Sequence, residues 1–108
     1  MSDPGKALLA ALRSRCRPYA RLHATRSDSH PWRSLLFDGE RHLLDVAIDG
    51  PDVDQAVRTL REAAIMADLD LPGHLLVELS MEKVDLTADP AMFRLRALTL
   101  DAGSALSA

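Results

Sequence analysis

The stretch WRSLLFDGERHLLDVAIDGPDVDQAVRTL, residues 32–60, decides the fold. Trp32 to Phe37 and Glu40 to Ile48 flank Asp38-Gly39, a pair that supplies the positive φ angles of a tight hairpin turn, so this spacing predicts two antiparallel strands. Asp49-Gly50-Pro51-Asp52 ends the second strand. Asp52, followed three residues later by Gln55, has the capping arrangement of a helix start. The helix is predicted to reach about Leu69. Its apolar stripe is Val53, Val57, Leu60, Ala64, Ala67 and Leu71, and Asp54 to Arg58 forms an i,i+4 pair in the favourable order.

Towards the C-terminus, Pro72-Gly73 breaks the helix. His74 to Val84 and Met92 to Leu100 alternate at period two around a loop containing Asp85, Asp89 and Pro90, which predicts a second hairpin. Residues 102–108 are small and polar, as in a frayed tail. Towards the N-terminus, Ser2 or Asp3 serves as N-cap and Pro4 as first helical residue of a helix that stops near Pro18. Leu8, Leu9, Leu12 and Cys16 share one side of it, while Lys6, Arg13 and Arg17 share another. Tyr19 to Thr25 reads as a strand or as irregular chain. Arg26 to Pro31 has the Ser/Asp/Pro composition of a loop.

The expected architecture is therefore α+β, in one domain over residues 1–108. An N-terminal helix precedes an antiparallel sheet of four to five strands, formed by two hairpins that flank a central amphipathic helix and pack on it. A length of 108 residues with 47% hydrophobic content can bury such a core without disulfide or metal support. This order of elements is shared, at the level of topology alone, by small dimeric acidic chaperones of secreted proteins and by several unrelated α+β folds. Element order alone is a poor guide to function.

Strand parity assigns faces. Leu44, Val46 and Ile48, then Leu75, Val77, Leu79 and Met81, then Phe93, Leu95 and Ala97 are expected to meet the long helix. The other face carries Asp45, Asp49, Glu78, Glu82, Arg94 and Arg96, which can pair across strands. Leu43, Leu76, Leu98 and Leu100 point to that same face and need a cover, either the N-terminal helix or a second molecule. Ile65 and Met66 lie about 120° and 220° from the helix stripe, so both cannot enter one core. These six residues predict an interface, and a homodimer or protein partner.

Charge is polarised along the chain. Residues 1–44 hold 8 Lys/Arg against 4 Asp/Glu, and residues 45–108 hold 5 against 12, giving a net charge of -3. Lys6, Arg13, Arg15, Arg17, Arg21, Arg26 and Arg33 make a nucleic-acid-binding segment conceivable, with Tyr19 and Trp32 to stack on bases. The acidic second half opposes it, because the basic segment could fold back on the protein's own carboxylates.

Catalysis has little support in the sequence. His23, His30, His42 and His74 lack metal-ligand spacing, and Asp45, Asp49, Asp52 and Asp54 have structural duties on a strand, at a cap and in a pair. There is no nucleophile elbow, phosphate loop or dinucleotide fingerprint. Neither metal nor cofactor is expected. Cys16 reads as a small buried apolar residue. Ala7 to Leu12 is too short for a signal-peptide core, and no stretch approaches a membrane span, so the expected location is the cytoplasm. The expectation for function is a self-associating protein-interaction module without catalytic activity, of which a chaperone-like role is one version. Nucleic-acid binding or a small-ligand-binding domain with a polar pocket around His42 or Asp45 is the alternative.

Overall fold

The computed structural model describes residues 3–85 and 90–102. Asp3 opens α1 (Pro4–Cys16): its Oδ1 accepts from the backbone N–H groups of Gly5 and Lys6, and Pro4 occupies the first turn where no N–H is needed. Leu8, Leu12 and Cys16 recur at four-residue steps and are fully buried. Asp52 likewise caps α2 (Val53–Met66), accepting from the N–H of Gln55. The four strands are β1 (Arg21–Arg33), β2 (Asp38–Asp49), β3 (His74–Asp85) and β4 (Ala91–Asp101). They form one antiparallel sheet in the order β1-β2-β4-β3, so the architecture is α+β.

Both helices pack on one face of this sheet. Leu8 and Leu12 of α1, and Ala56, Leu60 and Ala63 of α2, share a core with Leu44, Val46, Ile48, Leu79, Phe93, Leu95 and Ala97. The face assignments for β2 and β4 therefore hold. No helix among the described residues is long and apolar enough to cross a membrane.

The first hairpin turns elsewhere than expected. Asp38 already pairs with Arg33, and the turn is Ser34–Phe37, closed by the Ser34 N–H to the Phe37 carbonyl at 2.9 Å. Gly39 lies within β2 beside Thr99, where a Cβ would meet the Thr99 carbonyl oxygen at 2.1 Å. This glycine permits close approach of two strands rather than a positive φ. Arg26–Pro31, expected as a loop, belongs to β1, as does the chain from Arg21. An edge strand tolerates such residues, since a proline there sacrifices no ladder bond when its nitrogen faces outward.

Two further differences have local causes. Ala67 adopts the left-handed conformation (φ 47°) and ends α2 before Leu69. The buried stripe of α2 is Ala56, Leu60 and Ala63, flanked by half-buried Val53, Val57 and Ala64, and Arg58 donates to Gln55 rather than to Asp54. In β3, the register shifts between Leu76 and Glu78, leaving Val77 without a partner in β4. This bulge reverses the faces before it, so Leu76 packs on the core while Leu75 and Val77 are exposed. The expected turn residue Asp89 and the tail from residue 103 onward lie outside the described residues.

Candidate protein interface

The sheet face opposite the helices is built in rows. Asp45 stands between Arg26 and Arg94, and Arg94 stands between Asp45 and Glu82. Arg94 grips Asp45 in a two-pronged contact, Nε to Oδ1 at 2.7 Å and its terminal nitrogen to Oδ2 at 3.1 Å. Those hydrogen bonds hold the Asp45 carboxyl below the usual carboxylate range. Arg96 reaches Glu82 at 2.8 Å, so the charges on this half largely satisfy one another. At the other end, Leu43 and Leu100 are half-buried and Leu98 is only 6% exposed. α1 does not cover these leucines, because its apolar side faces the helix-side core.

Exposed large apolar side chains lie in two places, Leu35 and Leu36 in the turn between β1 and β2 and a longer group along α2 and β3. Ile65 and Met66 are 82% and 74% exposed at the end of α2, and Val77 and Val84, the two bulge residues of β3, are 46% and 53% exposed. Ile65 borders a groove of about 230 Å³ with Arg61, Ala64, Leu79, Ser80 and Met81. A second groove of about 270 Å³, sharing Arg61, continues along Val53, Val57, Lys83 and Phe93. α2 and β3 thus border one long trough beside an unpaired strand edge.

The two sheet edges are not equivalent. β1 carries Pro31, and its Leu22 carbonyl already accepts from Arg13 Nε at 3.2 Å, so its outer edge is blunted. β3 has no proline, and Glu78–Lys83 keeps an unbroken register between its bulges. Sequence reasoning found Ile65 and Met66 from helix geometry. It missed Leu75, Val77 and Val84 because nothing in a period-two pattern marks a bulge.

The basic segment is dispersed. Arg15 contacts the Asp68 carboxylate at 3.2 Å, Arg26 pairs with Asp28 at 2.6 Å and Arg33 with Asp38 at 3.5 Å. Lys6 sits at the opposite end of α1 from Arg17. Only Arg13, Arg17 and Arg21 are brought together, at the junction of α1 and β1. Tyr19 and Trp32, named above for stacking, lie before and near the end of β1 respectively.

His42 is buried on the helix side, with Nδ1 2.8 Å from Ser29 Oγ and Nε2 2.8 Å from Thr99 Oγ1. Each ring nitrogen faces a hydroxyl that can donate or accept, so either neutral tautomer is satisfied. A hydroxyl rather than a carboxylate orients this imidazole, which makes the chain a buried polar network in which each member has a partner. Removal from water pushes the His42 pKa below its ordinary value, helped by His74 and opposed by Glu40 and Asp3. The unfolded chain therefore takes up this proton first. Stability from His42 is complete above the unfolded value near 6.5 and is lost as pH falls through the folded value, with a slope of up to about 1.4 kcal/mol per pH unit. Urea titrations across this range should show a shallower pH dependence for His42→Leu than for the wild type.

Burial raises the Cys16 thiol to about 11, leaving it protonated at neutral pH. Among the described residues, no group of three His, Cys, Asp or Glu side chains is arranged to hold a metal ion. A groove of about 300 Å³ on the sheet face is lined by His42 together with His30, Arg41, Glu78, Ser80 and Arg96, at one of the two places named above for the small-ligand alternative. Compared with known proteins, the chain matches no family model, no curated protein and no solved structure.

Proposed function

We propose that the chain is a self-associating protein-interaction module, a homodimer formed by antiparallel pairing of two β3 edges with Ile65 and Met66 of α2 packed against the second copy. The observation that carries this reading is the concentration of exposed Ile65, Met66, Val77 and Val84 beside the edge without proline. A strand edge offers a row of backbone donors and acceptors that a second strand satisfies. β3 has 12 residues, or about 40 Å of strand, and the molecule is 22 Å thick. The strip is thus close to the ~800 Å² per partner of a standard interface. No catalytic role is assigned, and a cytoplasmic setting suits a chain whose only cysteine is a buried thiol.

Light scattering on a sizing column tests this reading. Wild-type protein is expected at twice the chain mass, and the double variant Ile65→Glu/Met66→Glu at the chain mass with unchanged circular dichroism. Both residues are exposed within one protomer, so their replacement should change folding by no more than about 0.5 kcal/mol each. A monomeric wild type, or a variant that stays dimeric, sinks the proposed interface.

A further inference from the structure

Where α1 meets β1, Arg13, Arg17, Ala20, Arg21, Leu22 and His23 line a groove of about 280 Å³. Arg13 and Arg17 belong to the end of α1, where basic residues complement the helix dipole. That explanation does not extend to Arg21, which begins β1 and borders the same groove. Arg13 is fixed by Nε donating to the Leu22 carbonyl, which leaves its two terminal nitrogens for another acceptor. Arg15, Arg26, Arg33, Arg94 and Arg96 each pair with a carboxylate, whereas no ion pair among the described residues engages Arg13, Arg17 or Arg21. The carboxylate of Asp49 lies beside the groove, opposite Arg21 in register and 4.0 Å from His23 Nε2. Three guanidiniums against one carboxylate leave a positive concavity, with apolar Ala20 and Leu22 contributing to its walls.

We propose that this groove binds a small phosphorylated molecule through a phosphate or diphosphate group. Guanidiniums match phosphate oxygens in paired, charge-assisted hydrogen bonds. The groove volume is at the low end of small-ligand sites, and the other basic side chains of the segment are paired or distant, so no continuous track for a polymer adjoins it. This inference is independent of the β3 interface, which involves the other edge of the sheet.

The test is calorimetric titration of the full chain with inorganic pyrophosphate at low salt. Saturable one-site binding is expected, weakened about tenfold or more in Arg17→Gln/Arg21→Gln and unchanged in Arg33→Gln, which lies at the opposite end of β1. Arg13 is left in place because it secures the β1 edge. Absence of saturation, or equal affinity in the double variant, overturns the proposal. A phosphate-matched single-stranded oligonucleotide is titrated in parallel. Binding much tighter than that of pyrophosphate, with a steep salt dependence, would overturn the small-ligand assignment in favour of a nucleic acid.

Discussion

Gly39→Ala is expected to destabilise the fold by roughly 3 kcal/mol or more, although it adds a single methyl group. The new Cβ would stand 2.1 Å from the Thr99 carbonyl oxygen and 2.9 Å from Leu100 Cδ2. Leu100 can rotate aside, but a backbone oxygen cannot. Thr99 is also fully buried and joined through its hydroxyl to His42, so retreat of β4 would break that network. The strain should therefore separate β2 from β4 at the Gly39 to Leu100 pair and remove ladder hydrogen bonds there. A urea unfolding midpoint equal to that of the wild type would show that these strands do not approach so closely.

Phe93→Ala should cost about 3–5 kcal/mol, a large part of the ~5–15 kcal/mol that stabilises a domain. Phe93 is the largest of the fully buried side chains and lies between Val46 of β2 and Lys83 of β3 in the sheet. It also borders the trough beside Val53 and Val57, so it supports α2 from below. Truncation leaves a cavity beneath the helix that few neighbours can fill. Loss of less than about 1 kcal/mol in equilibrium unfolding would place Phe93 outside the cooperative core.

Much of this fold was legible because its signals are periodic or chemical. Asp3-Pro4 and Asp52 with Gln55 opened the helices as their side-chain oxygens require, and Leu44, Val46, Ile48, Phe93 and Leu95 entered the core as alternation demands. What failed depends on tertiary neighbours. Asp38-Gly39 has the chemistry of a turn, yet Gly39 is placed by the nearness of Thr99, some sixty residues away in sequence. The polar run from Arg26 to Pro31 is strand because β2 supplies its pairing, which propensity does not report. For the interface, helical angles exposed Ile65 and Met66, but a bulge at Val77 moved Leu76 into the core and left Leu75 in its place. Helical spacing put Arg13 and Arg17 on one side of α1, but gave no sign that Arg21 of β1 would join them in a groove.

The order β1-β2-β4-β3 puts the latest of the four strands to be synthesised between two made earlier. While β4 is still in the ribosome, the inner flank of β2 lacks its partner, and β3 has α2 to pack on but no strand beside it. The nascent chain therefore holds two strands open until the segment through Asp101 has emerged, and the sheet assembles by insertion rather than by extension at its rim. Encounters between unfinished copies through those same strands are the hazard of this design, and prompt arrival of β4 is what ends it.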